Sequence, residues 1–349
     1  MKTKGNMSKT IYLLGAGASY GIRNDESLII EGLPVMDELK RELNEFRTWF
    51  GNIEDIEKPI IILEKKRPFK EVKQYIVNAI DKFIEGLEDK ETHPTIDSLA
   101  KDLYDHYDYM SEIKISCGNL YGYLKFLMAS FFLYEQHIHP HDTRYDTFLN
   151  SILTPEGTIP DNMFFLTWNY DMQLEMAYYL KTGKQLPVCI PVEKEGYAKE
   201  AKVFKINGSA NYFNINHMDC LVLKNEKELI ERMFHQYAIT HSEDGRFFSS
   251  GTTDLYFAWE KEVFDQKSQF LKRNTKDAEI LVVIGYSFPD VNAIIDKEIL
   301  DSMPNLQRIY VQDKNPQNVI QQMKLLLNER LRNSIEPIFD VTKYFIPKS

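Results

Sequence analysis

AEILVVIGYSF, residues 278–288, is the stretch that decides the fold. Its apolar run from Ile280 to Ile284 leaves no polar face, so the strand it predicts is covered on both sides, as parallel strands are. The run stops at Gly285, and a helical pattern, NAIIDKEILDSM (292–303), follows. The same alternation extends outward in both directions. MFFLTWNYD (163–171) is an apolar run ending in polar residues, with helical MQLEMAYYLK (172–181) after it. AKVFKING (201–208) is a further strand ending in a turn, and QRIYVQD (307–313) leads into helical NPQNVIQQMKLLLNERL (315–331). Near the start, TIYLL (10–14) runs into the glycine turn GAGAS (15–19), then into the loop RNDESLIIEGLP (23–34) and helical VMDELKRELNEF (35–46). Strands alternating with helices predict an α/β fold, a parallel sheet with helices on both faces.

Residues 46–150 have a different texture. PFKEVKQYIVNAIDKFIEGLEDK (68–90) repeats apolar residues at three and four, as an amphipathic helix does. THPTIDSLAKDLYDHYDYM opens a helix with Thr95 as N-cap, Asp97 and Ser98 lying in its first turn. NLYGYLKFLMASFFLYEQ (119–136) is apolar almost all round and reads as a buried helix. The expectation is a discontinuous core, 8–45 and 155–349, carrying a large helical insertion over 46–150.

The chain has 349 residues, 43% hydrophobic and 27% charged, enough to bury a sizeable core without disulfide or metal staples. Its net charge of −10 disfavours non-specific nucleic-acid binding, since phosphates would be repelled. No apolar run approaches the ~20 residues that cross a bilayer. The basic start, MKTKGNMSKT, leads directly into a strand and does not read as a secretion signal, so a cytoplasmic location is expected. The three cysteines, Cys117, Cys189 and Cys220, lie far apart and cannot supply a four-thiolate zinc site.

In parallel sheets ligands gather at the carboxyl ends of the strands, and five polar clusters lie there: GAGAS, TWNYD, INGS, GYSFPD and QDKNP. The glycines of GAGAS let a backbone approach a phosphate, though plain strand-to-helix turns use glycine too. The turn fits neither the dehydrogenase fingerprint, since Tyr20 stands at its last glycine, nor a P-loop. Asn169 and Asp171 alternate in TWNYD and would face one way in an extended segment, suited to a carboxamide and a sugar hydroxyl. Taken alone, the simpler reading has Asp171 capping the next helix. Ser287 is placed to bond a phosphate or ribose, or to sit in an ordinary turn. HIHPHD puts His137, His139 and His141 at alternate positions. That spacing suits a metal, but Pro140 breaks it and a polar loop explains it better, so no metal site is expected.

Together these segments resemble the sirtuin-like proteins, and more closely their NAD-degrading branch in bacterial antiphage defence. The matching pieces, in order, are LLGAGAS, GLP (32–34), TIDSLAKDL (95–103), TWNYDMQLE (167–175), VFKINGSANYF (203–213), FAWE (257–260) and VVIGYSFPD. The resemblance implies a Rossmann-like core with NAD across the sheet and no zinc. By it, Gly15, Ala16, Gly17 and Ser19 hold the pyrophosphate, and Pro34 covers the nicotinamide side. Asn169 positions the reacting ribose or water, Asp171 meets the carboxamide, and Thr167, Gly285 and Ser287 line the ligand. Asp313 is placed at the adenine ribose.

The chain departs from the family in three ways. It lacks the four-cysteine zinc module of deacylating sirtuins, and Trp168 stands where those enzymes commonly have glutamine. Both argue against protein deacylation. Where the family motif reads K-[LI]-H-G-S, this chain reads KINGS, with Asn207 in the place of the histidine base. Asparagine orients a hydroxyl but takes no proton from it. Three readings of Asn207 stay open: an engineered inactivating change, a natural variant that binds NAD or a derivative as a signal, or a site whose base comes from elsewhere, His217 being a candidate. The resemblance also implies self-assembly into an oligomer and a separately encoded partner such as a HerA-type ATPase. The two leading expectations are an NAD hydrolase crippled at its base, and a non-catalytic NAD or ADP-ribose sensor.

Overall fold

The computed structural model describes all residues except 1–7, 55–59, 63–64, 89–92, 94–95, 110–116, 191–199, 211–224, 241–253, 258, 261–264, 266–267 and 349. The strands are β1 (Thr10–Leu14), β2 (Ile60–Ile62), β3 (Lys65–Arg67), β4 (Met163–Thr167), β5 (Val188–Cys189), β6 (Val203–Lys205), β7 (Ile280–Ile284), β8 (Arg308–Gln312) and β9 (Ile335–Ile338). Seven of them form one sheet in the order β5-β6-β4-β1-β7-β8-β9. Every neighbouring pair in it is parallel.

The apolar runs become the strands because both faces of the sheet are covered. Ile11, Leu13, Phe164, Leu166, Leu281, Val283, Ile309 and Val311 point to one face. There they pack with Phe270 and Leu271 of helix Ser268–Thr275, Ile295 and Ile299 of helix Ala293–Asp301, and Val319 and Met323 of helix Pro316–Leu326. The alternate residues point the other way. Tyr12 packs edge-on against Phe148 of helix Arg144–Ile152 and stacks on Phe165, and Tyr310 meets Phe345. This is the expected α/β, Rossmann-like arrangement.

β1 lies between β4 and β7, so the chain builds one half of the sheet before crossing to the other. That reversal of strand order is a topological switch point, the place where sheets of this kind commonly bind ligands.

The chain divides into two compact units. The first comprises residues up to Leu33, His139–Gly208 and Tyr256–Ser349, and holds the sheet. The second comprises Pro34–Ile138 and Ser209–Leu255. It is helical, with helices Met36–Asn52, Phe69–Gly86, Ile96–Tyr109, Cys117–Ile138 and Glu226–Thr240 and the small antiparallel pair β2-β3. Its core is aromatic: Phe46 packs against Phe131 and Tyr134, and Phe234 against Phe50 and Phe69. The division thus differs from the expected insertion of 46–150. Helix Arg144–Ile152 joins the sheet through Phe148, whereas helix Met36–Asn52 belongs to the second unit through Phe46 and Phe50. Thr95, the expected cap, lies outside the described residues; the helix after it begins at Ile96. No helix among the described residues is long and apolar enough to cross a membrane.

Candidate functional site

All parallel strands end at the same edge, so the loops after β1, β4, β6, β7 and β8 share it. The turn after β1 is held against the loop after β7 by backbone bonds. Gly15 N–H donates to Ile284 O and Gly17 N–H to Gly285 O, each at 3.0 Å. This contact explains the glycines. A Cβ on Gly17 would lie 2.7 Å from Gly285 Cα, and one on Gly15 would lie 2.6 Å from Tyr286 Cα. Gly285 itself has φ +60, a left-handed conformation that disfavours any side chain. Ala16–Ser19 form a single 3-10 turn, and no long helix follows it directly. As the sequence implies, the glycine turn leads into a loop before helix Met36–Asn52, so no full helix dipole lies directly behind it.

Ser19 is the point of convergence. It is buried, and its Oγ receives a hydrogen bond from Asn169 Nδ2 at 3.2 Å and lies 3.4 Å from the Tyr145 hydroxyl. Asn169 Nδ2 also donates to Gly15 O at 2.9 Å, so one amide ties the loop after β4 to the glycine turn. Thr167 Oγ1 accepts from Asn169 N–H at 3.0 Å and fixes that loop's first bend. Asp171 is buried, and its Oδ1 accepts from Gln173 N–H at 2.9 Å at the start of helix Gln173–Thr182. That is an Asx-type turn one residue ahead of the helix's N-cap, Met172, which makes no side-chain cap bond, and it coexists with proximity to Ser19. Burial raises the Asp171 carboxyl above its ordinary range, while Lys205, the Gln173 N–H and Ser19 pull the other way.

Lys205, the last residue of β6, was not singled out in the sequence. It is 1% exposed, donates to the Asp171 carbonyl, and pairs with Glu175 Oε1 at 3.1 Å. Burial raises the Glu175 carboxyl, and the neighbouring Lys205 opposes that rise. A lysine closing an otherwise apolar strand, VFK, was the available signal.

Asn207 follows two residues later, 4% exposed. Its Nδ2 donates to Trp168 O and to the Tyr170 hydroxyl, each at 3.3 Å, and its backbone carbonyl accepts from Tyr256 N–H at 2.8 Å. Its Oδ1 is buried without a hydrogen-bond partner among the described residues. A buried acceptor left open in this way costs about 1–3 kcal/mol unless something fills it. His217 lies outside the described residues.

Ser287 is exposed, unlike Ser19 and Asn169, and lines a groove of about 520 Å³ with Phe288, Asp290, Asn318, Val319 and Gln322. Phe288 has φ +55, unusual for a residue with a side chain, and this strained turn presents Ser287 to solvent. Asp313 is half-buried, and its Oδ1 accepts from Asn315 N–H at 2.8 Å ahead of helix Pro316–Leu326. Ala16 is exposed and Gly17 half-buried at the lip of the turn. Pro34 is buried and opens the second unit. The structure thus brings Gly15, Gly17, Ser19, Asn169 and Gly285 into one contiguous cluster. In the histidine-rich loop, His141 Nε2 lies 3.0 Å from Asp146 on the following helix, and His137 falls inside helix Cys117–Ile138.

A scan against family models finds none that matches this chain, and a search of curated proteins finds no relative.

Proposed function

We propose that this chain binds NAD at the carboxyl edge of its sheet, as a sirtuin-like NAD hydrolase of antiphage defence whose turnover is impaired at Asn207. The observation that carries this reading is the open Oδ1 of Asn207, buried beside Trp168 and Tyr170 in the loop after β6. An acceptor held there suits a donor such as a ribose hydroxyl or a carboxamide N–H. Departure of nicotinamide needs little acid help, because the leaving group is already cationic in the substrate. Its transition state resembles the oxocarbenium ion of other glycosidic cleavages, which fixed dipoles stabilise. In this reading Asn169 orients the ribose or water, Asp171 meets the carboxamide, and the groove at Ser287 takes the adenosine half. Asn207 orients a hydroxyl and leaves its proton in place.

A second reading, an NAD or ADP-ribose sensor without catalysis, is favoured by one further observation: Asp171 is committed to Gln173 N–H and shielded by Lys205. Self-assembly and a HerA-type partner rest on the sequence resemblance alone.

The test is nicotinamide release from NAD, followed by chromatography, for this chain and for Asn207→His. A base is worth roughly 10²- to 10⁴-fold, so the histidine variant is expected to cleave faster by that order. Rapid cleavage by the unaltered chain would show that the base lies elsewhere. NAD binding without cleavage in either protein would establish the sensor.

A further inference from the structure

The C-terminal segment lies against the glycine turn in the first unit. Three groups that the proposed chemistry does not use engage consecutive carbonyls of that turn. Arg144 Nη2 donates to Gly17 O at 3.0 Å, the Tyr344 hydroxyl donates to Ala18 O, and Leu33 N–H donates to Ser19 O at 2.7 Å. Arg144 is itself fixed. It pairs with the buried Asp142 carboxylate, and its Nη1 donates to Val341 O at 3.0 Å. The same Asp142 Oδ2 that Arg144 engages also accepts from Gly21 N–H at 2.9 Å, just past the turn. Tyr344 is 5% exposed, packed edge-on against Tyr145 at 4.9 Å and Phe148 at 5.6 Å, with the Arg144 guanidinium 5.1 Å from its ring. One side chain at the end of β8 ties the segment down. Gln312 Nε2 donates to Asp340 O and Lys343 O, and its Oε1 accepts from Phe345 N–H at 2.9 Å.

Inside the turn Ala18 N–H is already spent on Gly15 O at 2.8 Å, so the three clamps act on the shape of the turn and hold the oxygens of Gly17, Ala18 and Ser19 in place. None of those three oxygens is then free to swing toward an anion.

We propose that Arg144 and Tyr344 are positioning residues for the diphosphate of the bound nucleotide. They act through the glycine turn and touch no ligand themselves, and the segment Asp340–Phe345 is a working part of the site frame. This rests on the reading of that turn as a diphosphate cradle. Removing the Tyr344 hydroxyl leaves the ring in place and frees one carbonyl. Arg144→Lys keeps the charge and loses the fork that spans Gly17 and Val341.

The test titrates ADP-ribose by calorimetry into the full chain, Tyr344→Phe and Arg144→Lys, with amide hydrogen exchange on each protein without ligand. The expected result is affinity lower by about five- to tenfold, the worth of one net hydrogen bond. Faster exchange should be confined to residues 18–21, with the amides of β1 and β7 unchanged. Unchanged affinity, unchanged exchange at the turn, or uniform loosening of the sheet would overturn the proposal. If the unaltered chain binds no ADP-ribose, the functional reading fails, and the exchange pattern alone decides the positioning role.

Discussion

At position 207 the surroundings of a buried amide show what it can do. Its N–H₂ group is spent on Trp168 O and the Tyr170 hydroxyl, while its oxygen is left open. That is a hydrogen-bonding site, and asparagine does not titrate near neutral pH. The glycines are decided by a different force. Gly285 carries φ +60, and a Cβ there would fall 2.4 Å from Gly17 Cα, so both the backbone angle and the space forbid a side chain. Gly285→Ala is expected to destabilise the first unit by about 2 kcal/mol or more, read as a lower midpoint in urea. An unchanged midpoint would show that the two loops part easily. The sequence displayed these residues but gave only half their meaning. GAGAS and GYSF each read as a turn, and nothing in a one-dimensional string said that each turn's glycines exist to admit the other.

Two elements bury an ionisable group whose charged form burial opposes. β6 ends in Lys205, whose ammonium is buried between the Asp171 carbonyl and Glu175 of helix Gln173–Thr182. Removing one partner leaves the other charge uncompensated, so Lys205→Met is expected to cost about 3 kcal/mol or more. The double variant with Glu175→Leu should recover much of the loss, and a double-mutant cycle in urea measures this. Helix Ala293–Asp301 buries Asp296 in its first turn, where Oδ2 accepts from the Tyr286 hydroxyl at 2.9 Å. Burial pushes this carboxyl up to about 8 from 3.8, against the lowering effect of that bond. The folded chain thus keeps a proton that the unfolded chain releases at low pH. The stability from this group is full below about pH 4 and is lost as pH rises through about 8. Asp296→Asn is expected to flatten that dependence across the same window, checked by urea unfolding at several pH values.

Legibility varied by element for physical reasons. β1, β4, β7 and β8 were readable because both faces are buried and the apolar run is continuous. β5 is two residues long, and β9 is a half-buried edge strand containing Pro337, so neither leaves such a run. The contacts of Arg144 and Tyr344 with the glycine turn were invisible, since Gly17 and Ala18 lie more than a hundred residues away.

For the whole molecule, sheet order is what turns scattered loops into a site. With β1 between β4 and β7, the turn after β1 meets Asn169 on one side and Gly285 on the other. The order of segments along the chain implied an α/β sheet, but strand order is settled only by which strands pair. The large acidic balance, −10, lies uneasily with a dianionic ligand unless local dipoles dominate. In the proposed reading that field would come from dipoles at the strand ends, not from net charge. A ligand bound there also stabilises the folded state by mass action, by about 2.7 kcal/mol at a hundredfold excess over its dissociation constant. The most direct measurement is calorimetric titration of ADP-ribose into the unaltered chain, with Asn169→Ala as control. One site per chain with measurable heat is expected, weakened in the control. An absence of heat in the unaltered chain, or equal binding by the control, would contradict it.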